Sequence, residues 1–388
     1  MSPAAAVTAT GERTRDYSMY LDRGLLLAAI VLLLLGLVMV ASASLHKIAS
    51  APFYFTIRHL IALALGLGAS AVVLATPVAQ WERWSTVLYF LGLGLLVLVL
   101  VPGVGREANG AVRWISIGGF NLQSSEFMKL FMMLFLAGYL QRRREEVAYS
   151  VWGFLKPMLL LVVAAALIML QPDFGTTVVL LATALGMLFL GGVPLWQFSV
   201  LFLMAGATLV GLIVAAPYRL QRVSSFVDPF DDPLNTDYQL SNALIAFGRG
   251  EWTGVGLGNG IQKQFYLPEA HNDFLIAVVG EELGLAGTLL VILLFAYIVW
   301  RAFSIGATAE RREARFAAYV AFGCGLWLGL QAFINLGVNL GLLPTKGLTL
   351  PLMSYGGNSI IVSCIVIAML LRIHGENIAA SRDGGGKW

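Results

Sequence analysis

The feature that most constrains this chain is a series of long apolar stretches, each close to the roughly 20 residues that a helix needs to cross a bilayer. Of its 388 residues, 58% are hydrophobic and only 12% are charged, whereas a soluble domain carries about 25% charged residues. No soluble fold of this length could bury so much apolar surface. The bilayer must therefore be the solvent for most of the chain.

We predict an all-α polytopic membrane protein of about ten transmembrane helices. The expected spans lie near 24–44, 57–76, 85–101, 126–140, 157–171, 174–192, 196–216, 273–300, 316–340 and 355–372. They divide the chain into a cytoplasmic N-terminal tail (1–23), a transmembrane domain (24–372) with one long periplasmic loop (about 217–272), and a cytoplasmic C-terminal tail (373–388).

The distribution of basic residues predicts the orientation of these spans. An even number of spans puts both termini on one side, and short cytoplasmic loops are enriched in Lys and Arg. Basic clusters at 142–144 and 311–312 lie in short loops on the side of the termini. Both termini are therefore predicted to be cytoplasmic. The loops at 102–125 and 217–272 then face outward, and long ordered loops are usually functional.

Charged residues inside spans cost about 2.5–3.5 kcal/mol at a helix centre and persist where they face a cavity, a partner or a substrate. Glu126 and Lys129 are three residues apart, so they share a helix face and can form an ion pair, either structural or functional. Glu281 and Glu282 are expected to hold helices together or to cap backbone groups. Asp273 lies at the lip of a span directly after the longest outer loop, where a carboxylate can meet both water and an apolar-tailed substrate.

Three other features have simpler interpretations. Asp173 follows a proline between two spans, and its carboxylate is expected to cap the next helix. The glycine run at 254–260 does not follow a strand of a βαβ unit, so a turn is favoured over a dinucleotide site, with backbone binding of a phosphate as the alternative. His271 could be a metal ligand or an acid–base group, but four histidines without paired spacing do not predict a zinc site.

Several motifs, taken together, are those of one protein family. The segment 266–274 reads YLPEAHNDF, and 341–351 reads GLLPTKGLTLP before MSYGG at 353–357. A third motif combines RWI at 113–115 with Gln123, Glu126 and Lys129. This combination resembles the SEDS family (shape, elongation, division and sporulation) over residues 20–375. Ala270 and the segment 344–349 are more similar to its division branch than to its elongation branch.

The resemblance implies a peptidoglycan glycosyltransferase that polymerises lipid II into β-1,4 glycan strands during septal cell-wall synthesis. It implies Asp273 as the general base, with Glu126 and Lys129 beside it. The remaining candidates for substrate binding are Arg113, Lys346, Glu269, Lys263, Arg249 and His271. No cofactor is firmly implied, and the metal requirement stays open: Glu269 could help to hold a divalent cation, Mg²⁺ or Mn²⁺.

The implied location is the inner membrane at the division septum. The implied partners are lipid II, membrane lipids, the class B penicillin-binding protein FtsI and the FtsQ–FtsL–FtsB complex, without nucleic acid. A lipid II transporter (flippase) and a divisome scaffold are the alternative functions. Four residues depart from the family pattern, namely Ser124, Gly260, Asn272 and Asn358. Asn272 adjoins Asp273, so it leaves the level of activity open.

Overall fold

A computed structural model describes residues 20–48, 50–108, 111–118, 120–214, 238–343 and 347–383. The helices, in chain order, are α1 (Arg23–Ser44), α2 (Tyr54–Ala75), α3 (Val78–Leu100), α4 (Ser124–Arg142), α5 (Arg144–Tyr149), α6 (Val151–Leu170), α7 (Phe174–Leu190), α8 (Leu195–Val214), α9 (Tyr238–Gly250), α10 (Leu275–Arg311), α11 (Arg315–Asn339) and α12 (Gly357–Asp383). The described fold is a helical bundle, which confirms the predicted all-α membrane class.

A helix lies at each of the ten positions where the sequence predicts a span. Seven of the helices in the described ranges are both long enough and apolar enough to cross a bilayer, namely α1, α2, α3, α6, α10, α11 and α12. Helix α7 is apolar but shorter. The chain is therefore a multi-pass membrane protein, and the count of ten spans stays a prediction.

Helix α4 is not among the seven described helices that are apolar enough to cross a bilayer, yet most of its residues are buried. It packs against α3, α7 and α11 at the centre of the bundle. Because these helices surround it, its polar side chains meet protein groups rather than lipid tails, so they can form internal hydrogen bonds and ion pairs. This position explains how a helix can carry Glu126 and Lys129 inside a membrane protein.

The loop between α3 and α4 forms a small antiparallel sheet of strands β1 (Gly105–Ala108), β2 (Ala111–Ile117) and β3 (Phe120–Gln123), with β2 in the middle. Trp114 pairs with Gln123, directly before the first turn of α4. The sheet therefore covers the end of the bundle at which α4 begins. Of the long loop predicted at 217–272, residues 217–237 lie outside the described ranges, and the rest contains α9 and a short helical turn, Gln262–Tyr266.

Helix α10 is interrupted at Gly284, whose φ of 66° and ψ of −161° suit only glycine. The neighbouring loop replaces the lost helical hydrogen bonds. Val255 and Gly256 donate to the carbonyls of residues 281 and 282 at 3.0 and 3.1 Å, and the amides of residues 285 and 286 donate to loop carbonyls at 2.9 and 3.1 Å. Broken helices persist inside membranes only where protein satisfies their backbone in this way.

Two helices extend beyond their predicted ends. Helix α10 continues past residue 300 to Arg311, and α12 continues past residue 372 to Asp383. In both extensions polar residues find partners within the protein: the Arg301 side chain donates to the Asp22 carboxylate, and Asn377 donates to the Ile305 carbonyl at 3.2 Å. The apolar stretch marks how much of a helix the bilayer requires, whereas these contacts carry the helix further.

Candidate functional site

The structure contains a polar cavity of about 730 Å³ at the end of the bundle covered by the β-sheet. Residues from or just before the N-terminal turns of α4, α7, α10 and α12 line it, together with Arg58 and Ile61 farther along α2, the sheet and the segment 347–349. Helix N-termini carry positive partial charge, so these four ends together favour an anionic ligand. Of the predicted site residues, the cavity is lined by Asp273, Glu126, Arg113 and Glu269.

Asp273 lies in the turn before α10, partly exposed at the cavity wall. Within the described ranges, no side chain donates a hydrogen bond to its carboxylate. Burial, together with the negative charges of Glu269 and Asp173, raises the pKa of Asp273 to about 7, and the positive charge of Arg113 opposes this rise. An open carboxylate with a pKa near neutrality can accept a proton from a bound hydroxyl group.

Gly347 lies directly beside this carboxylate. A Cβ atom at position 347 would lie 2.9 Å from the Asp273 Oδ2 atom, closer than unbonded carbon and oxygen atoms ordinarily approach. A side chain at this position would therefore push against the carboxylate. Gly347 thus keeps one side of Asp273 open.

Glu126 and Lys129 form the ion pair that their spacing predicts, with Lys129 Nζ donating to Glu126 Oε1 at 2.9 Å. Lys129 also donates to Gln331 Oε1 at 2.8 Å and lies 4.9 Å from the centre of the Trp327 ring. Glu126 lines the cavity, whereas Lys129 is buried behind it. Among the described contacts, Lys129 is bound to Glu126 and not to Asp273, so the structure gives it no direct contact with the proposed base.

Arg113 extends from β2 and joins the sheet to the turn before α7. Its Nε atom donates to the Gln171 carbonyl at 3.1 Å, and its Nη2 atom donates to the Pro172 carbonyl at 2.5 Å. These contacts hold the guanidinium at the cavity wall. Arg58 and Arg106 line the same cavity, and the sequence analysis did not single them out. Three guanidinium groups around one cavity suit a phosphate ligand, because each presents a fork of donors.

Asp173 caps α7 as the sequence predicts, since its carboxylate accepts from the Thr176 backbone amide at 3.3 Å and from the Thr176 hydroxyl at 2.9 Å. The same carboxylate accepts from the Ser125 hydroxyl at 2.9 Å. It therefore fastens the start of α4 to the start of α7. Asp173 also lines the cavity, so this structural role adds negative charge near Asp273.

Glu269 and His271 occupy the turn that leads to Asp273, but on different sides of it. Glu269 lines the cavity and accepts a hydrogen bond from Asn272. His271 is buried, with its ring 4.5 Å from that of Phe55 and 5.3 Å from that of Tyr355. Burial and the charge of Lys47 lower the pKa of His271 to about 3. His271 is therefore neutral near pH 7 and packs behind the site.

Lys263 and Arg249 lie outside this cavity and pair with the two buried glutamates of α10. Lys263 Nζ lies 2.6 Å from Glu282 Oε1, and Arg249 Nη1 lies 3.0 Å from Glu281 Oε1. The two glutamates hold helices and loop together, as predicted: Glu281 accepts from the Ile261 amide at 2.8 Å, and Glu282 accepts from the Gly258 amide at 3.0 Å. The contacts of Lys263 and Arg249 are thus structural rather than directed at the cavity.

The glycine run predicted to form a turn is the loop that wraps these glutamates. Gly254, Gly256 and Gly258 have φ values of 82°, 96° and 85°, which glycine adopts without strain. Its backbone amides donate to groups of residues 281 and 282, so they are directed at the protein rather than at the cavity.

Two predicted features have no structural counterpart in the described residues. Lys346 lies in the segment 344–346, outside the described ranges. No group of three or more His, Cys, Asp or Glu side chains in the described ranges is arranged to hold a metal ion. The assignment of Lys346 to substrate binding and the divalent cation both stay predictions.

Comparisons with known proteins agree with the motifs. Residues 23–378 match the family model for the cell cycle proteins FtsW, RodA and SpoVE. A probable peptidoglycan glycosyltransferase FtsW from Allochromatium vinosum is 57% identical over 357 residues, which cover 91% of this chain and 89% of that protein. A protein of the same description from Pseudomonas fluorescens is 50% identical over 362 residues, 92% of this chain and 88% of that protein.

Two solved structures have the same fold. One, from work on the structural coordination of polymerization and crosslinking by a peptidoglycan synthase complex, has a TM-score of 0.75 and 31% identity, and covers 92% of this chain and 98% of its own. The rod shape determining protein RodA of Thermus thermophilus has a TM-score of 0.68 and 28% identity, and covers 91% of this chain and 96% of its own. The family model and the identities together show that this chain belongs to the SEDS family of FtsW, RodA and SpoVE.

Proposed function

We propose that this chain is a peptidoglycan glycosyltransferase that polymerises lipid II during septal cell-wall synthesis. One observation supports it above the others: an open carboxylate, that of Asp273, shares a cavity with Arg58, Arg106 and Arg113. Glycosyl transfer from a lipid pyrophosphate needs a base for the acceptor hydroxyl and positive charge for the leaving group. Several relatives described as probable peptidoglycan glycosyltransferases are 48% to 57% identical to this chain.

In the proposed reaction, Asp273 removes the proton of the acceptor sugar hydroxyl. The hydroxyl oxygen forms a bond to the anomeric carbon of the donor, and the bond from that carbon to the pyrophosphate oxygen breaks. The configuration at this carbon inverts, because the nucleophile and the leaving group lie on opposite faces. The pyrophosphate leaves with the bonding electron pair, and Arg58, Arg106 and Arg113 stabilise its charge. The proton stays on Asp273 until solvent removes it.

The orientation follows from the predicted topology. The five helices whose N-terminal halves line the cavity, α2, α4, α7, α10 and α12, are the even-numbered ones among the ten predicted spans. With a cytoplasmic N-terminus, even-numbered spans begin on the periplasmic side. We therefore propose that the cavity opens to the periplasm and that both termini are cytoplasmic. A divalent cation, Mg²⁺ or Mn²⁺, would be held by Glu269 together with the pyrophosphate of the substrate, because Mg²⁺ commonly binds through few carboxylates and substrate phosphates.

We also propose the partners that the resemblance implies, which are FtsI and the FtsQ–FtsL–FtsB complex at the division septum. A solved structure from work on a peptidoglycan synthase complex that polymerises and crosslinks shares the fold of this chain, and crosslinking is the activity expected of a class B penicillin-binding protein. Co-purification of this chain with FtsI tests the pairing, and failure of the two full-length proteins to associate in membranes would contradict it.

Reconstitution of the full chain with lipid II tests the function. We expect glycan polymer from the wild-type protein, alone or with FtsI, and no polymer from Asp273→Asn under the same conditions. Movement of lipid II across the vesicle membrane without polymer in either condition would instead support the transporter. Binding of the divisome partners with neither polymer nor transport would support the scaffold.

A further inference from the structure

Helix α11 carries three buried amide side chains spaced four residues apart, Gln331, Asn335 and Asn339. This spacing puts them on one face of the helix, one above the other. We call them the amide ladder. Buried amides need hydrogen-bond partners. The partners of these three show which segments bind to this face of α11.

Asn335 and Asn339 of the amide ladder both bind the residue proposed as the base. Asn335 Nδ2 and Asn339 Nδ2 each donate to the backbone carbonyl of Asp273, both at 2.9 Å. Asn335 Nδ2 also donates to the Leu348 carbonyl at 2.5 Å, next to the Gly347 that adjoins the Asp273 carboxylate. One amide therefore joins the turn carrying Asp273 to the segment that lies beside its side chain.

The third member connects this arrangement to the buried ion pair of α4. Gln331 Nε2 donates to the Thr349 carbonyl at 3.0 Å, and Gln331 Oε1 accepts from Lys129 at 2.8 Å. The segment 348–349 is thus held by two successive members of the ladder. Lys129 does not contact Asp273 directly. It binds Gln331, which in turn binds the segment 348–349 next to Asp273.

The asparagines serve as donors, because their oxygen atoms have no hydrogen-bond partner in the described part of the chain. Each Nδ2 faces two carbonyl oxygens. The reverse orientation of either amide would bring its oxygen against those oxygens and would be repulsive. A buried amide that leaves its oxygen unpaired gains stability only through its donors, and the Asp273 carbonyl is the one acceptor that both asparagines share.

We propose that Asn335 and Asn339 are positioning residues for glycosyl transfer, which fix the backbone of Asp273 so that its carboxylate faces the acceptor hydroxyl. This inference rests on the proposed function, because it presumes that Asp273 is the base. The two amides share one acceptor, so either alone still holds the Asp273 carbonyl. Loss of both frees the turn to move relative to the cavity wall.

The test compares Asn335→Ala, Asn339→Ala and the double variant of the full chain in the lipid II polymerisation assay. A displacement of about 1 Å can lower a rate about 10²-fold. We expect a decrease in kcat of about fivefold for each single variant and of about 10²-fold for the double variant, which is more than the product of the two, because the amides substitute for each other. KM should change less than about twofold, because neither amide lines the cavity.

The pH dependence gives a readout that general destabilisation would not move. Asp273 is faced by Glu269 from its own turn, by Asp173 from the start of α7 and by Arg113 from β2, and Glu126 of α4 lines the same cavity. None of these charges changes in the double variant, but water gains access to the freed turn. The midpoint of the kcat–pH profile should therefore move downward, toward the ordinary range of a carboxyl group.

Asn377→Ala is the matched control, because Asn377 is a buried asparagine that donates to the Ile305 carbonyl at the far end of α10. We expect it to lower the Tm about as much as Asn335→Ala does while leaving kcat within twofold of the wild type. A double variant with wild-type kcat, or with an activity loss that matches its unfolded fraction and leaves the pH midpoint unchanged, would overturn the inference. Should the double variant not fold, unchanged kcat and midpoint in both single variants would overturn it.

The outcomes also separate this inference from the proposed function. Wild-type activity in Asp273→Asn would remove the base and the positioning role together. An inactive Asp273→Asn beside a fully active, folded double variant would remove only the positioning role.

Discussion

Asp273 lies in the turn before α10, and Glu282 lies within α10, just before its break at Gly284. The two carboxylates are close in the chain but have opposite surroundings. Glu282 is fully buried and accepts from Ser42, Lys263 and the Gly258 amide. The Asp273 carboxylate faces a cavity and accepts no hydrogen bond from a side chain of the described ranges. A carboxylate with all its partners supplied stabilises the fold, whereas an open one remains available to a ligand.

The difference arises from the groups that the neighbouring loops supply. Around Glu282, glycines with positive φ direct backbone amides inward, and Lys263 completes the charge balance. Around Asp273, the neighbours hold its backbone and leave its side chain free, with Gly347 providing space. A carboxylate therefore stabilises the fold within α10 and serves as a candidate base in the turn before it.

The largest effect should follow from breaking the buried ion pair of Lys263 and Glu282. Lys263→Met leaves Glu282 charged and buried without its partner, so we expect a loss of about 3–5 kcal/mol of stability, measured by thermal unfolding in detergent. Adding Glu282→Gln should recover most of this loss, because it removes the uncompensated charge. Arg143→Ala, in an exposed pair with Glu146, is the control and should leave the Tm nearly unchanged, because exposed ion pairs contribute little to stability. A Lys263→Met protein as stable as the wild type would contradict a stabilising role of this ion pair.

The next effect should be catalytic and confined to the cavity. Arg113→Ala removes a positioned positive charge, so we expect kcat/KM for polymerisation to fall about 10²-fold. Arg113 also binds the carbonyls of Gln171 and Pro172. Arg113→Lys keeps the charge but not the forked set of donors, so its kcat/KM should lie between those of Arg113→Ala and the wild type. Arg144→Ala, exposed at the start of α5, should leave the kinetics unchanged. Equal activity of Arg113→Ala and the wild type would exclude the role in leaving-group binding.

The smallest effect concerns pH. Because burial and Glu269 raise the pKa of Asp273 to about 7, the base is protonated below this value, and kcat should fall about tenfold per pH unit there and level off above it. Glu269→Gln removes one of the charges that raise this pKa, so the midpoint should move to lower pH. Glu145→Gln, an exposed carboxylate of α5, should not move it. His271, with a pKa lowered to about 3, does not titrate in this range.

The sequence predicted the fold well because apolar length reports directly on the bilayer: a helix lies at each of the ten expected positions. It also identified four residues that share the cavity, Asp273, Glu126, Arg113 and Glu269, through motifs that resemble the SEDS family. The ends of α10 and α12 were less predictable, because contacts such as that of Asn377 extend a helix beyond its apolar stretch.

Pairings between distant residues could not be predicted from spacing. Lys263 and Arg249 carry charges suitable for a phosphate ligand, and nothing local shows that Glu281 and Glu282 bind them instead. The amide ladder was not predicted, because uncharged amides stand out less than charged groups within an apolar span. The four-residue spacing of these amides is present in the sequence. Buried amides on one helix face need hydrogen-bond partners, so this spacing predicts that the face binds another segment.

The most direct test compares the two carboxylates in one experiment, by measuring the polymerisation rate and the Tm of Asp273→Asn and Glu282→Gln. Because a raised carboxyl pKa makes the folded state bind more protons than the unfolded state, stability falls as pH rises from about 4 to 7, so Asp273→Asn should be at least as stable as the wild type at pH 8. We expect it to be folded and inactive, and Glu282→Gln to have a lower Tm but to retain activity per folded molecule. Polymer formation by Asp273→Asn at the wild-type rate would contradict the assignment of Asp273 as the base.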